Sequence, residues 1–252
     1  MPNIQIEPIP CLKDNYAYLI HAGDGGDALV VDPSEAAPVA EALGRRRLRL
    51  RGILATHHHS DHVGGIEALV AAAGADGPWV AAHATDRGRV PGQTMFVEAP
   101  QDRFVATELA FGGARLWAMH IPAHTKGAIA WGLAAGARPD AAPADVFTGD
   151  TLFGAGCGRL FEGTPADMYR SLRALTSGPE ETRLWFGHEY TASNLRFAAT
   201  VEPENAATAA RAKALAACTT PTTCGLERAT NPFVRAASVE TLAARRAAKD
   251  KF

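Results

Sequence analysis

The segment His57-His58-His59-Ser60-Asp61-His62 constrains this chain more than any other, because its H-x-H-x-D-H spacing sets three imidazoles and a carboxylate within six positions. Burying that many polar groups without a partner is costly, and a divalent cation removes the cost by taking their lone pairs. A surface loop rich in histidine that binds nothing is the bland alternative. The preceding stretch, Leu48 to Ala55, is largely apolar with β-branched Ile53, so it reads as a buried strand that enters a loop at Thr56. In extended backbone His57, His59 and Asp61 would point to one side, and His62 opens the turn into a helix expected over Gly65 to Ala73. Nitrogen and oxygen donors of this kind suit zinc, iron or manganese.

Short extended segments dominate the first half. They are expected at Ile4 to Ile6, Tyr16 to His21 and Ala28 to Asp32, with Gly23-Asp24-Gly25-Gly26-Asp27 turning the last two into a hairpin. A helix is expected from Pro33-Ser34-Glu35 to about Leu43, capped by Gly44, and Arg45 to Arg49 then complement its dipole. Further strands are expected at Trp79 to Ala82, in a hairpin over Glu108 to Met119 broken at Gly112-Gly113, and at Ala128 to Leu133, Asp145 to Thr148 and Arg183 to Phe186. Mostly antiparallel strands interleaved with helices imply packed sheets with helices outside, an α+β architecture. Ala166 to Leu175 is amphipathic, and from Thr191 onward the pattern is helical, with a helix opening at Glu202-Pro203 and another over Val239 to Ala248. The division is therefore expected near residue 174, with residues 1–174 as the catalytic domain and 175–252 as a mainly helical one.

Composition narrows the class of function. No apolar run approaches the roughly 18 residues of a membrane span, and Met1 to Glu7 lack the pattern of a secretory leader. Cys11, Cys157, Cys218 and Cys224 have neither zinc-ribbon nor disulfide-framework spacing, so a reducing cytoplasm is expected. A net charge of −2 argues against a general nucleic-acid binder. The charge is uneven, however: residues 228–252 carry six bases against two acids. Such a tail is either a solvated helix face or a contact for an anionic ligand.

A two-metal hydrolytic site needs more donors than the cluster offers, and three candidates stand at the ends of expected strands. His124 lies in Ile121 to Thr125, Asp150 follows Gly149 in Phe147 to Thr151, and His188 follows Gly187 in Trp185 to Glu189. His21, His58, His83 and His120 are assigned to no metal.

Thr56 to His62, Phe147 to Phe153 and Gly187-His188-Glu189-Tyr190 together resemble the metallo-β-lactamase superfamily, and within it glyoxalase II, the hydroxyacylglutathione hydrolases. The resemblance extends to Asp14-Asn15-Tyr16, Gly156-Cys157-Gly158-Arg159, Val201-Glu202-Pro203 and the R-x-x-K-D-x-F ending from Arg246 to Phe252. It implies an αββα sandwich followed by a helical domain. It also implies that His57, His59 and His124 hold one divalent ion, Asp61, His62 and His188 a second, and that Asp150 bridges them, with zinc favoured over iron or manganese. Two such ions lower the pKa of a shared water, and the thiol of a glutathione thioester leaves readily as thiolate. Asp61 is the expected catalytic residue, orienting the nucleophile.

By the same resemblance Arg159, Phe161, Tyr190, Arg246 and Lys249 contact the glutathione moiety, so the basic tail becomes a binding element of a monomeric enzyme that needs neither membrane nor nucleic acid. Two positions depart from the family pattern. Arg159 and Phe161 stand where Lys and Tyr are common, which keeps a charge and loses a hydroxyl, and Ala128 stands where a second-layer His is common. Other readings keep the metal site and change the substrate, making the chain a lactonase, a β-lactamase or a sulfur dioxygenase with one iron; a nuclease is disfavoured by the acidic body. A non-catalytic metal module would need a closed coordination shell.

Overall fold

The computed structural model describes residues 4–74, 77–134 and 143–252. Its first sheet has the order β1 (Gln5–Cys11), β2 (Asn15–His21), β3 (Asp27–Val31), β4 (Arg49–Leu54), β5 (Trp79–His83) and β6 (Met95–Val97). The β1-β2-β3 meander is antiparallel, as the glycine-rich turn implies, whereas β3 to β6 run parallel. Parallel pairing requires a crossover. Helix α1 (Ala36–Arg46) supplies it between β3 and β4, and α2 (Ser60–Val63) with α3 (Ile66–Ala73) supplies it between β4 and β5.

The second sheet contains β7 (Val105–Phe111), β8 (Ala114–His120), β9 (Ile129–Ala134) and β10 (Pro143–Gly149). A small hairpin, β11 (Leu152–Phe153) and β12 (Gly156–Cys157), and helix α4 (Pro165–Leu175) lead to β13 (Arg183–Phe186), which lies parallel to β10 in this sheet. The expected division near residue 174 thus falls in the last turn of α4, ahead of a strand of the sandwich. Helices α5 (Thr191–Val201) and α6 (Ala206–Lys213) follow, then β14 (Thr222–Thr223), which pairs with β13, and α7 (Cys224–Thr230) and α8 (Val239–Lys249) close the chain.

Period-two alternation builds the layers. In β2, Tyr18 and Ile20 face the second sheet, where they meet Leu116, Trp131 and Phe147, while Ala17 and Leu19 face the helices α1 and α3 through Val39, Ile66 and Leu69. The far side of the second sheet, with Met119, Ala130, Val146 and Leu184, packs on Met168 and Leu172 of α4, Phe197 of α5 and Leu242 of α8. Helix, sheet, sheet and helix therefore stack as the αββα sandwich expected from the sequence.

Local chemistry moved several boundaries. Helix α1 does not stop at Gly44 but runs to Arg46, because Arg47 takes the left-handed cap (φ 54°) and donates to the Gly44 carbonyl. Arg45 and Arg46 pair with Glu7 and Asp24. The alternation expected through Asp61 ends at His59, the N-cap of α2, so Asp61 and His62 project from a helical turn instead. The helix expected at Glu202-Pro203 begins at Ala206, where the Asn205 carboxamide accepts from the backbone N–H of Ala207 and Thr208. Helix α7 and strands β6, β11, β12 and β14 had no clear sequence signal, being too short for periodicity to register.

The helical region is tied to the sandwich by buried Glu227. Its carboxylate accepts from Ala155 N and the Asn231 and Thr222 side chains, and pairs with Arg211 at 2.8 Å. Glu227→Ala leaves the buried Arg211 guanidinium without its counter-ion, so equilibrium urea unfolding should show a loss of about 3–5 kcal/mol; a loss below ~1 kcal/mol would mean that the network does not bear on stability.

Candidate metal centre and adjoining cavity

The donors gather at one edge of the sandwich, where strands from both sheets end. His57 follows β4, Asp150 follows β10, His188 follows β13, and His124 lies in the loop joining β8 to β9. His57, His59 and His124 form one group whose donor atoms lie within 4.8 Å of one another, and Asp61, His62 and His188 form a second. Asp150 lies between them, with its carboxylate 3.2 Å from His62 Nε2 and 3.4 Å from both His124 Nε2 and His188 Nε2. Gly149 is needed just before it: its φ is 49°, and a Cβ there would come within 2.3 Å of the Thr56 hydroxyl.

The outer nitrogen of four of these rings is engaged, which fixes the tautomer and turns the other nitrogen inward. His62 Nδ1 donates to Asp32 at 3.0 Å, His188 Nδ1 to Asp14 at 2.8 Å and His124 Nδ1 to the Arg159 carbonyl at 2.9 Å. The Thr56 hydroxyl donates to Asp32 at 2.6 Å and so accepts from His57 Nδ1 at 3.0 Å. Inward nitrogens consequently face one another, His57 Nε2 and His124 Nε2 at 3.1 and 3.0 Å from His59 Nδ1, and His62 Nε2 at 3.3 Å from His188 Nε2. Asp32, His57 and His62 form a third close group, but the Asp32 oxygens are occupied by Thr56 N, the Thr56 hydroxyl and His62. Asp32 is thus a support.

Charge divides cleanly across the cluster. Burial holds His57 and His124 below the usual imidazole range and brings His59 down to about 4, leaving them neutral with free lone pairs. Burial also opposes charge on His62 and His188, but Asp150 with Asp32 outweighs it at His62, and Asp150 with Asp61 lifts His188 to about 10. The His188 contact, with His62 and Asn15, keeps Asp61 well below the carboxylate range; His62 and His188 do the same for Asp150 against its burial. Asp150 Oδ1 is buried without a hydrogen bond of good geometry. Converging lone pairs, two carboxylates and an orphaned oxygen fit a pair of divalent cations.

A cavity of about 610 Å³ opens from this cluster, and Arg159, Phe161, Tyr190, Arg246 and Lys249, the expected substrate contacts, are all among its lining residues. The Phe161 ring stands edge-on to His59 and His124, and Tyr190 stacks on His188 with centroids 4.8 Å apart. Lys249 Nζ donates to Ser193 O and Oγ at 3.3 and 3.2 Å, and burial among other cations lowers its pKa. Arg246 is engaged differently from a free anion receptor: it is 7% exposed, donating to the Cys157 carbonyl at 2.7 Å and to Asp250 at 3.0 Å. Arg159 extends into solvent, with Nε 3.8 Å from Asp250.

Sequence reasoning had assigned no role to Asp32, Thr56 or Ser193. An Asp closing a strand before Pro33 is a signal for the first, whereas Ser193 carries none. Ala128 is buried in the core beneath α4, so it leaves the donor set intact.

The metallo-β-lactamase superfamily pattern matches residues 13–188, and that of the hydroxyacylglutathione hydrolase C-terminus matches residues 189–252. A hydroxyacylglutathione hydrolase from a Synechococcus strain is 43% identical, over 99% of this chain and 100% of its own length. The enzyme of that name from Cupriavidus taiwanensis is 47% identical over 92% of this chain and 86% of its own. This chain belongs to the hydroxyacylglutathione hydrolase family. The solved structure of TTHA1623 in a di-iron-bound form superposes with a TM-score of 0.57 at 26% identity, covering 90% of this chain and 99% of that one. The two patterns meet between His188 and Glu189, so the superfamily part ends on its last donor and the family's own C-terminal part carries Tyr190, Arg246 and Lys249.

A pH dependence follows for chelator-treated protein. His57, His59 and His124 are held neutral in the fold but protonate near 6.5 in the unfolded chain, so they favour folding above pH 6.5, and this contribution is lost as pH falls below it, for His59 down to about 4. His62 and His188, held protonated in the fold, contribute with the opposite sign only near pH 6.5 and add no slope toward the acid end, where both states are protonated. Denaturant titrations between pH 6.5 and 4.5 should show falling stability, with a shallower slope in His59→Asn; equal slopes would contradict the assignment.

Proposed function

We propose that this chain hydrolyses S-(2-hydroxyacyl)glutathione thioesters, typically S-D-lactoylglutathione, to glutathione and the 2-hydroxy acid, D-lactate, as the second step of methylglyoxal detoxification. The observation that carries this reading is the continuity of one cavity from the histidine and aspartate cluster to Lys249 and Arg159, which joins a hydrolytic centre to cations suited to a peptide thioester with two carboxylates. The name shared by the relatives supports it.

In this reading His57, His59 and His124 hold one divalent ion, Asp61, His62 and His188 hold the second, and Asp150 is shared. Zinc is the favoured metal, and iron and manganese suit the same donors. When bound, such a pair supplies Lewis acidity and brings the pKa of water toward neutrality. Asp61, steadied by the Asn15 carboxamide donating to its backbone and side-chain oxygens, accepts a hydrogen bond from the attacking water and aims it at the thioester carbonyl. The water oxygen bonds to the carbonyl carbon and its proton passes to solvent, the carbon–sulfur bond breaks, and the glutathione sulfur leaves as thiolate because its thiol pKa lies near ~8.5. No side-chain acid is required.

Lys249, with Ser193 orienting its ammonium, and Arg159 bind the glutathione carboxylates, while Tyr190 and Phe161 flank the thioester. Arg246 acts from behind, fixing α8 to the Cys157 carbonyl and so setting the direction of Lys249. We assign the enzyme to the reducing cytoplasm as a monomer, without nucleic-acid or membrane partners. Its unbonded Cys11, Cys157, Cys218 and Cys224 suit that compartment.

Steady-state rates with S-D-lactoylglutathione, a simple lactone and a β-lactam test the reading, and turnover of either alternative in preference to the thioester would refute it. Lys249→Met removes a charge-assisted contact of about 1.5 kcal/mol, which should raise KM about tenfold with little change in kcat. Asp150→Ala should reduce the metal content and abolish turnover; two ions per chain with normal activity would exclude Asp150 as the shared donor.

A further inference from the structure

Behind the first donor group lies a polar network that the chemistry above does not use. Asp86 sits at the end of a single 3₁₀ turn after β5 and is fully buried. Its Oδ1 is 3.1 Å from His58 Nδ1 and 3.6 Å from Arg89. The loop that carries His124 passes directly over it: a Cβ on Gly127 would come within 2.3 Å of the Asp86 carboxylate. Arg89 also reaches His58 Nε2 at 2.5 Å and Glu162 at 2.6 Å, and Glu162 in turn accepts the Lys126 backbone N–H at 2.7 Å.

One guanidinium therefore gathers three segments that are distant in sequence. His58 stands between His57 and His59, Lys126 is two residues from His124, and Glu162 adjoins Phe161, whose ring contacts His59 and His124. The first segment belongs to one sheet and the second to the other. The second donor group rests on other residues, Asp14 behind His188, Asn15 at Asp61 and Asp32 behind His62, of which only Asp32 also reaches the first group, through Thr56 to His57.

We propose that Asp86, Arg89 and Glu162 form a staple across the two sheets that positions the His57, His59 and His124 group, and so sets affinity for one of the two ions while leaving the other nearly untouched. The inference rests on the metal-site reading above. Breaking the staple lets the 57–59 and 124–128 loops separate, and a nitrogen triad loses affinity steeply when one member drifts.

Stepwise zinc dissociation constants, measured by chelator competition, test the staple in Arg89→Met and Glu162→Gln. Both side chains are partly exposed, so either variant can lose the pair without a buried void. Each should weaken one ion by about tenfold or more and leave the other within about twofold, with the melting temperature of chelator-treated protein unchanged. The cobalt spectrum of either variant at one equivalent should match that of His59→Ala, which lacks the same ion. Equal affinities to wild type, equal weakening of both ions, or loss of the ion that His188→Ala lacks would overturn the staple. Fewer than two ions bound by the wild-type protein would overturn the underlying metal reading and the staple with it.

Discussion

Everything at the functional edge of this protein depends on what holds the outer nitrogens of its histidines. An imidazole offers a lone pair inward only if its other nitrogen donates outward. Here the outward partners come from four separate stretches of chain: Asp14 between β1 and β2, Asp32 after β3, Thr56 after β4, and the Arg159 carbonyl after β12. Asp32 serves two histidines, one directly and one through the Thr56 hydroxyl, so a single buried carboxylate aligns members of both donor groups. The same geometry explains the electrostatics, with neutral rings where burial dominates and protonated ones where Asp150 is joined by a second carboxylate, Asp32 at His62 and Asp61 at His188.

The sandwich makes this convergence possible because strands of both sheets end on the same side. Apolar residues on both faces of β2, β3, β4 and β5 commit the sheet to its position between the helices and the second sheet, and loops at the strand ends then face one another. Polar groups at that edge cannot relax independently. The buried Glu227 cluster fixes the Phe153 to Cys157 hairpin against the last helices, which brings Lys249 beside a cavity whose floor is built from the sandwich.

Much of this was legible in the chain. The H-x-H-x-D-H run, and the pattern of strand, glycine and donor repeated at Asp150 and His188, are local features whose physical cause is local: glycine permits the tight approach and the strand end exposes the donor. Most strands were legible for the same reason. Legibility failed where a longer-range partner decided the outcome. Helix α1 passed Gly44 to a left-handed cap at Arg47, with its terminal arginines received by the distant Glu7 and Asp24, whereas Asp61 left the extended alternation through a local turn that starts at His59. The resemblance made Arg246 a substrate contact; it does line the cavity, but its terminal nitrogens are engaged by Cys157 and Asp250, which no sequence pattern shows.

The sequence by itself determined that the chain carries divalent-metal donors on strand ends, that its first part is a layered α+β sandwich, and that a basic helical segment follows. The resemblance implied how six of the donors divide about Asp150, but only the tertiary structure decided which nitrogen each ring presents and that Asp32, Ser193 and the Asp86 network stand behind them. Periodicity and motif spacing record contacts along the chain. Tautomer, charge and cavity shape arise from groups tens to more than a hundred residues apart, and those distances are set only when the layers close.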